Sequence, residues 1–313
     1  MNKTFIDLCC GTGGFSIALE KYNFKCIYAN DFEESSKIIY DNNHNIKLIK
    51  DNLLNINNFD IPKHDILCAG FPCQGFSISG KRKGFLDKRS DVFWKILDII
   101  KLHMPEIIIF ENVKNLLTHD NNKTFEIISS KIKELGYYIK YDILDTSKYT
   151  NIPQHRERLY IICFIDKNKY DNFKFDFPII KNKKITKFLD DNIDEKYYYT
   201  DRYVVYDTIK ENVIKNINDN TIYQYRRTFI RENKNNVVPT LTANMGLGGH
   251  NVPILLDDIG IRKLTPRECF NLQGFPKDYN LSKLSDSKLY KLIGNAITIP
   301  IAELIAKKIY ELF

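Results

Sequence analysis

FIDLCCGTGGF, residues 5–15, joins an apolar, strand-like run to a glycine-rich turn and then to the start of a helical pattern. Gly11, Gly13 and Gly14 allow the backbone to turn tightly and to approach a ligand closely. The spacing is not the GxGxxG of dinucleotide-binding turns, which favours another adenosine-bearing cofactor. The alternative is a tight turn that binds no ligand. In both cases the stretch predicts the first strand and first helix of an α/β sheet.

The rest of the first 165 residues alternates short apolar runs with helical patterns. This alternation predicts an α/β fold with a doubly wound, mostly parallel sheet, the Rossmann-like arrangement. Runs such as EIIIF, residues 106–110, are apolar throughout, as strands covered on both faces must be. Strands are predicted at residues 4–9, 25–29, 46–49, 65–69, 106–110, 138–144 and 159–164. Helices are predicted at residues 15–21, 35–41, 92–101 and 123–135.

The character of the sequence changes near Lys181, which suggests a second domain. Residues 181–285 are polar, charged and tyrosine-rich, with basic and glycine-rich patches between 223 and 253. We predict a smaller, irregular domain there, within which RKLTPREC (262–269) serves as scaffold. Residues 286–313 are predicted as helix, interrupted by a turn at GNA (294–296), and we expect them to complete the first domain, 1–180.

Composition favours a globular intracellular protein. Of 313 residues, 43% are hydrophobic and 27% charged, and the net charge of +7 permits a polyanionic partner. No uninterrupted apolar stretch approaches the roughly 20 residues of a membrane span. The sequence begins without a signal-peptide pattern, so a cytoplasmic location is expected.

One cysteine differs from the others in its sequence context. The chain has seven cysteines, with no CxxC pair and no Cys/His spacing typical of zinc, so no metal is expected. Cys9, Cys10, Cys68 and Cys163 lie in apolar runs and are predicted to be buried. Only Cys73 stands between a proline and a polar loop.

That cysteine belongs to GFPCQGFS, residues 70–77, which follows a predicted strand. Ligands of doubly wound sheets bind beyond the carboxyl ends of the strands, and Pro72 restricts the backbone beside the thiol. A nucleophilic cysteine needs nearby positive charge. A buried cysteine followed by a solvated loop is the alternative. The next loop supplies five basic side chains: Lys81, Arg82, Lys83, Lys88 and Arg89.

Carboxylates follow three other predicted strands. Asp31, 20 residues after Gly11, is placed to accept both ribose hydroxyls of a cofactor. Asp51 could accept from an adenine amine or be a solvated loop residue. Glu111, after EIIIF, could donate a proton from an apolar setting or interact with a helix N-terminus.

Two arginines in QHRERLYIICF, residues 154–164, start the last predicted strand of this region. Strand alternation would send Arg156 and Arg158 to one face, where they could bind phosphate or a base carbonyl. Surface ion pairing to Glu157 is the alternative.

Taken in order, the motifs FIDLCCGTGGF, GFPCQGFS, ENV (111–113), QHRER, RKLTPRECFNLQGFP (262–276) and GNA resemble the series found in DNA (cytosine-5)-methyltransferases. The stretch HDILCAGFPCQGFSISGKRKGF, residues 64–85, is especially similar to the compact bacterial restriction-modification type typified by the HhaI methyltransferase. The resemblance spans nearly the whole chain.

The resemblance implies a role for each matching residue. Cys73 matches the nucleophile, and Glu111 matches the acid that protonates or hydrogen-bonds cytosine N3. Arg156 and Arg158 match the pair that holds the flipped cytosine and phosphate, and Asn295 matches an asparagine near both cofactor and catalytic site. The residues matching the S-adenosylmethionine site are Phe5, Gly11, Gly13, Asp31, Phe32, Asp51, Pro72, Val92 and Asn295. The residues expected on DNA are Ser79, Lys81, Arg82, Lys83, Arg89, Arg226, Arg227 and Arg231.

Two departures affect these expectations. Phe32 stands where many relatives have tryptophan, which would weaken stacking on adenine. RSD at 89–91 replaces the usual pattern at the hinge of the loop that follows the nucleophile.

Three functions follow from these residues. The first is a sequence-specific DNA cytosine-5 methyltransferase, acting as a monomer on double-stranded DNA, with a cognate restriction endonuclease as a possible partner. The second is a tRNA cytosine-5 methyltransferase, against which stands the absence of the Cys-Phe-Thr signature of that branch. The third, an inactive DNA-binding relative, is disfavoured because every catalytic position holds a competent residue.

Overall fold

The computed structural model describes residues 3–71, 91–181, 184–203, 206–214, 221–226, 229–233, 237–245 and 253–313. The chain divides into two compact units. Unit 1 comprises Met1–Leu144, Glu157–Phe177 and Ile301–Phe313. Unit 2 comprises Asp145–Arg156 and Pro178–Pro300.

Unit 1 is built on a seven-stranded sheet. Its strands are β1 (Thr4–Leu8), β2 (Lys25–Asp31), β3 (Ile49–Lys50), β4 (Ile66–Ala69), β5 (Ile107–Val113), β6 (Tyr138–Asp145) and β7 (Glu157–Phe164). They lie in the order β3-β2-β1-β4-β5-β7-β6. β1 pairs in parallel with β2 and β4, and β4 with β5, whereas β7 runs antiparallel to β5. The predicted α/β class with a mostly parallel sheet is confirmed.

Helices cover the sheet of unit 1. They are α1 (Gly14–Glu20), α2 (Glu34–Asp41), α3 (Asp91–His103), α4 (Lys123–Glu134) and α6 (Lys167–Asn172), and a short helix, α5 (Thr146–Tyr149), falls in unit 2. Ile96, Ile99 and Ile100 of α3, spaced three and four apart, pack into one apolar cluster with the sheet. Ile107–Phe110 are fully buried on both faces. The continuous apolar run therefore reflects burial on both sides of β5.

Two details of this sheet differ from the sequence expectation. The strand predicted at 46–49 is wrong in extent, because only Ile49 and Lys50 pair with β2. β5 continues through the ENV motif instead of ending before it, since the antiparallel β7 pairs Glu111 with Tyr160. Glu111 is consequently held by strand hydrogen bonds rather than by a loop.

Unit 2 contains a four-stranded antiparallel sheet in the order β11-β10-β8-β9. Its strands are β8 (Ile222–Arg226), β9 (Phe229–Asn233), β10 (Pro253–Leu256) and β11 (Ile261–Lys263). The helices that follow α6 are α7 (Tyr206–Ile214), α8 (Pro266–Asn271), α9 (Asp286–Asn295) and α10 (Ile299–Tyr310), of which α10 crosses into unit 1. One face of the sheet packs Tyr223, Ile254 and Ile261 against Ile209 and Val213 of α7.

The boundaries of unit 2 differ from the predicted domain limits. Residues 145–156 and 286–300 group with it, although the sequence places both in the first domain. The Gln154 side chain donates to the Leu272 carbonyl (2.7 Å), and the His155 backbone N–H donates to the Val238 carbonyl (2.8 Å). These links between residues far apart in sequence tie the segment to unit 2.

A buried ion-pair network stiffens the RKLTPREC segment. Arg262 donates in bidentate fashion to Glu268 at 2.8 and 2.9 Å and to Asp257 at 2.6 Å. Glu268 also accepts from the Thr265 backbone N–H at 2.7 Å, which completes a capping box for α8. Arg262 and Glu268 are buried and paired with each other, and Arg262 also pairs with the partly exposed Asp257, so the segment is tightly held; its role as scaffold stays a prediction.

The stretch Asp286–Tyr310 is long and apolar enough, by composition, to cross a membrane. In the structure it is two helices, α9 and α10, and 72% of its most apolar window is buried inside the protein. Its apolar character is accounted for by core packing.

Candidate cofactor and catalytic site

The glycine-rich turn follows β1 and is tied to the end of β2. Gly11 and Gly13 have φ of 54° and 73°, the left-handed region that favours glycine. Asp31 accepts the Gly11 backbone N–H through one carboxylate oxygen and the Glu33 N–H through the other, both at 2.9 Å. Burial raises the pKa of Asp31 above its ordinary value. Asp31 thus anchors the turn besides offering a carboxylate at the carboxyl edge of the sheet.

A set of stacked and hydrogen-bonded side chains, the turn clamp (Asp7, Ser16, Tyr40 and His44), packs behind the turn. His44 lies 3.3 Å from the Thr12 carbonyl through Nε2, and its ring stacks on Tyr40 with centroids 3.9 Å apart. The Tyr40 hydroxyl lies 3.0 Å from Ser16 Oγ, which donates to Asp7 at 3.0 Å. A Cβ on Gly13 would lie 2.3 Å from His44 Nε2, so only glycine fits against the clamp.

Asp7 is the acid of the clamp and is 0% exposed. Its Oδ2 accepts from both the backbone N–H and the hydroxyl of Ser16, whereas Oδ1 has no hydrogen-bond partner among the residues described. Burial raises the pKa of Asp7 to about 7. The carboxyl group joins β1 to the first turn of α1 and thereby fixes both sides of the glycine turn.

The pH dependence of stability offers a test of the clamp. Burial lowers the pKa of His44 from 6.5 to about 4, so the unfolded chain binds this proton more tightly than the folded one. Its contribution to stability is complete above about pH 6.5 and is lost as the pH falls toward 4. Relative to His44→Gln, the wild-type free energy of unfolding should fall by up to about 3 kcal/mol over that range. Denaturant melts at pH 4.5, 6 and 7.5 measure this, and parallel profiles would contradict it.

The other predicted cofactor residues of unit 1 separate into exposed and buried ones. Phe32, directly after β2, is 69% exposed and free to stack on a planar ring. Asp51, after β3, is exposed, and its Oδ1 accepts from the Asn52 N–H at 2.7 Å. Val92 is half-buried on α3. Phe5 is 0% exposed within β1, where its side chain packs in the core, and its contact with the cofactor stays a prediction.

These features fit an adenosine-bearing cofactor. Gly11 has open space beside its Cα, with no atom within 4 Å of an added Cβ. Asp31 and Phe32 follow it at the neighbouring strand end, where a carboxylate and an exposed ring suit a ribose and a base. No group of three or more His, Cys, Asp or Glu side chains in the described part of the chain is placed to hold a metal.

A second polar cluster lies at the ends of β4 and β5. Glu111 is 8% exposed, and its Oε1 is 3.2 Å from Nε of Arg158 on the adjacent strand β7. A Cβ on Gly70 would lie 3.9 Å from Glu111 Oε2, which places the carboxylate beside the first residue of the GFPC motif. The Asn112 side chain donates to the Phe71 carbonyl at 3.2 Å. Gly70 and Phe71 are therefore held beside the ion pair of Glu111 and Arg158.

Arg156 has a different environment from the one predicted. β7 begins at Glu157, so strand alternation does not apply to Arg156. Its guanidinium is buried in unit 2, where it donates to the carbonyls of Leu241 (2.9 Å), Gly294 (3.2 Å) and Ala296 (2.6 Å). These bonds connect the QHRER motif to the GNA motif. Arg156 holds backbone segments together, whereas Arg158 contacts Glu111.

The six cysteines described by the structure share one property. Cys26, Cys68, Cys163 and Cys269 are buried, Cys9 and Cys10 are half-buried, and all six are free thiols. Burial raises the pKa of every one of them. Because nucleophilic attack requires a thiolate, none of the six suits that role.

Several predicted residues lie outside the described part of the chain: Pro72, Cys73, Ser79, Lys81, Arg82, Lys83, Lys88, Arg89 and Arg227. The remaining ones belong to unit 2. Asn295 is the exposed last residue of α9, Arg226 ends β8, and Arg231 is exposed on β9.

Neither the turn clamp nor the role of Asn112 is predicted from the sequence. Asp7 and Ser16 stand in or beside the motif and could have been found from it, because an acid inside an apolar strand needs a partner. Nothing in the sequence around Tyr40 and His44 indicates that they contact the glycine turn.

Comparison with known proteins gives consistent matches over the full length. A family model described as C-5 cytosine-specific DNA methylase matches residues 3–311. The type II methyltransferase M.Bsp6I of Bacillus sp. (strain RFL6) is 45% identical over 310 residues, covering 97% of this chain and 98% of that protein. The type II methyltransferase M.HhaI of Haemophilus parahaemolyticus is 35% identical over 313 residues, covering 97% and 93%.

Solved structures with the same fold are more distant in sequence. The Entamoeba histolytica methyltransferase EhMeth matches with a TM-score of 0.80 at 19% identity, covering 99% of this chain and 98% of that one. The S. pombe Dnmt2 methyltransferase matches with a TM-score of 0.76 at 22% identity and 99% coverage of both. At this identity the likeness establishes the fold.

Proposed function

Because the chain belongs to the C-5 cytosine-specific DNA methylase family, we propose that it methylates C5 of one cytosine within a short, specific site in duplex DNA. It is a DNA (cytosine-5)-methyltransferase of the type II restriction-modification kind.

The assignment of Cys73 as nucleophile rests on one observation. The other six of the seven cysteines are buried or half-buried thiols whose pKa is raised by burial. Cys73 follows Phe71, whose carbonyl is bonded to Asn112, and Gly70, which lies beside the Glu111 carboxylate. We therefore propose that Cys73, two residues after Phe71, acts together with Glu111 on a protonated or hydrogen-bonded cytosine.

The proposed reaction uses this pair in a defined order. The Cys73 thiolate attacks C6 of cytosine while Glu111 protonates or hydrogen-bonds N3, so that the ring becomes an enamine. C5 then accepts the methyl group, a base removes the C5 proton, and the C6–S bond breaks to release Cys73. Arg158, 3.2 Å from Glu111, positions the carboxylate. The target base must leave the stack for this chemistry, at a cost of a few kcal/mol.

The donor in this proposal is S-adenosylmethionine, which supplies an electrophilic methyl group when bound. Asp31 would accept the ribose hydroxyls, Phe32 would stack on adenine, Asp51 would accept from the adenine amine, and the turn at Gly11 would approach the ligand by its backbone. The turn clamp holds that backbone in position.

Replacement of Asp31 tests this cofactor site. Asp31→Ala should weaken S-adenosylmethionine binding by roughly 1.5–3 kcal/mol, the range for a hydrogen bond to a charged group. Because Asp31 also accepts from the Gly11 N–H, Asp31→Asn should give an intermediate loss. Isothermal titration calorimetry measures both, with exposed Asp98→Ala as control. An unchanged affinity for Asp31→Ala would rule out the assignment.

The two domains predicted from the sequence divide the work in this proposal. Residues 1–180 with 286–313 carry the cofactor and catalytic residues, and residues 181–285 recognise the target. In this proposal the basic side chains that follow Cys73 in the sequence contact DNA phosphates. The protein acts inside the cell as a monomer, alongside a restriction endonuclease for the same site.

One experiment distinguishes the competing functions. Purified protein and labelled S-adenosylmethionine are incubated with duplex DNA or with tRNA, and DNA from expressing cells is sequenced after bisulfite treatment. We expect label on the duplex alone and one protected cytosine in a recurring short sequence. Label on tRNA would favour the RNA-directed alternative, and label on neither would favour an inactive relative.

A further inference from the structure

Unit 2 contains a cavity of about 570 Å³ beside the β8–β9 hairpin. Gln224, Arg226, Arg231 and Asn233 of the hairpin line it, together with Thr240 and other residues of the following segment. It is lined by residues of unit 2 alone.

The register of the hairpin explains this lining. Gln224 pairs directly with Arg231, and Asn233, two residues further on, pairs with Ile222. Residues two apart in a strand share a face, so amide and guanidinium groups gather on one side of the hairpin. On the other side Tyr223 belongs to the apolar cluster with α7. The face that carries Gln224, Arg231 and Asn233 is thus opposite the one packed on α7, and these three side chains line the cavity.

Asn233 indicates that this face is built for a ligand. The side chain is only 8% exposed, and its Nδ2 has no hydrogen-bond partner in the part of the chain that the structure describes. A buried amide donor left unsatisfied is costly, and such groups are rare in folded proteins. Because Asn233 lines the cavity, an acceptor that enters it would provide the partner that this donor lacks.

The chemistry of the three side chains defines the class of ligand. Asparagine and glutamine amides match the N6 and N7 edge of adenine, and arginine matches the O6 and N7 edge of guanine. Glu232 also lines the cavity, which makes the site poorer for a bare phosphate than for a base that has donors as well as acceptors. We propose that Gln224, Arg231 and Asn233 form a base-recognition site that determines one purine position of the target sequence. This inference rests on the function proposed above.

Motif determination on a randomised DNA library tests it. Wild type and variants methylate the library, and bisulfite sequencing gives the preferred base at each position around the methylated cytosine. Asn233→Ala should reduce discrimination about tenfold or more at one purine position and leave the others intact. Asn233→Asp, nearly isosteric, replaces the donor with an acceptor, so the preference at that same position should shift toward a base that presents a donor, such as cytosine. Gln224→Ala and Arg231→Ala should relax the same position or its neighbour.

Two matched controls lie elsewhere in unit 2. Asn192→Ala and Arg202→Ala remove an exposed amide and an exposed guanidinium that do not line the cavity, and both should keep the wild-type motif. If Asn233→Ala does not fold, as judged by thermal melting, the Asn233→Asp and Gln224→Ala results decide.

The outcomes separate the two proposals. A wild-type motif in all three cavity variants would overturn the base-recognition site while leaving the methyltransferase function in place. A uniform loss across all sequences, with a lower salt dependence, would overturn it in favour of backbone contacts. If the wild-type protein methylates tRNA and no DNA, the proposed function fails, and the base-recognition site fails with it.

Discussion

A duplex carrying 5-fluorocytosine at the target position is expected to trap the wild-type protein in a complex that resists denaturation, and Cys73→Ser is expected to abolish it. The fluorinated C5 has no proton to lose after methyl transfer, so elimination stalls and the C6–S bond persists. Trapping should require both cofactor and target, and peptide mapping should place the DNA on residues 71–77. Cys73→Ser should still bind the duplex, because phosphate and groove contacts lie elsewhere.

Two further variants sharpen this experiment. Cys10→Ser alters a half-buried thiol with a raised pKa and should trap normally. Glu111→Gln should slow trapping about 10²–10⁴-fold, since an amide neither supplies the N3 proton nor keeps the ion pair with Arg158. Denaturing gels over time measure both. Trapping that persists in Cys73→Ser, or that maps to another cysteine, would falsify the mechanism.

Gly294→Ala is expected to be the most disruptive small substitution among the motif residues of unit 2. A Cβ at this position would lie 2.2 Å from the backbone N of Ala243, and backbone cannot move aside as a side chain can. The Gly294 carbonyl also accepts from Arg156, as does the Ala296 carbonyl, so displacement of α9 would loosen the arginine. We expect a loss of about 3 kcal/mol or more in unfolding free energy, at the upper end for overpacking.

Gly260→Ala is the matched control for this substitution. There the nearest atom to an added Cβ is Tyr198 Cδ1 at 3.8 Å, an ordinary contact, and φ lies outside the left-handed region. Its effect should stay within about 0.5 kcal/mol. Equal melting curves for the two variants would mean that α9 does not rest against residues 242–243 as described.

Local sequence patterns predict most of the helices and strands of unit 1. α3 and α4 were predicted within two residues at each end, because their apolar spacing repeats over three turns. β3 was overestimated since Ile46 and Leu48 are apolar without belonging to a strand, and only pairing with β2 defines its limits. The antiparallel direction of β7, and with it the inclusion of Glu111 in β5, depends on a partner that no local pattern specifies.

The parts of the site that escaped prediction depend on contacts distant in sequence. His44 reaches the Thr12 carbonyl across 32 residues, and nothing near His44 distinguishes it from a loop histidine. Arg156 and Arg158 look equivalent in QHRER, yet the start of β7 at Glu157 separates their environments. The role proposed for Asn233 could be inferred only once the hairpin register placed it on the same face as Gln224 and Arg231.

The hydrogen bonds of Arg156 carry a consequence for biosynthesis. Its acceptors lie 85, 138 and 140 residues later in the chain. At ribosomal speeds of about 5–20 residues per second, the last acceptor emerges on the order of ten seconds after the arginine itself. During that interval the guanidinium has none of these acceptors and remains hydrated. Slow codons or chaperone contacts between residues 156 and 296 would therefore lengthen the time for which this part of unit 2 stays incomplete.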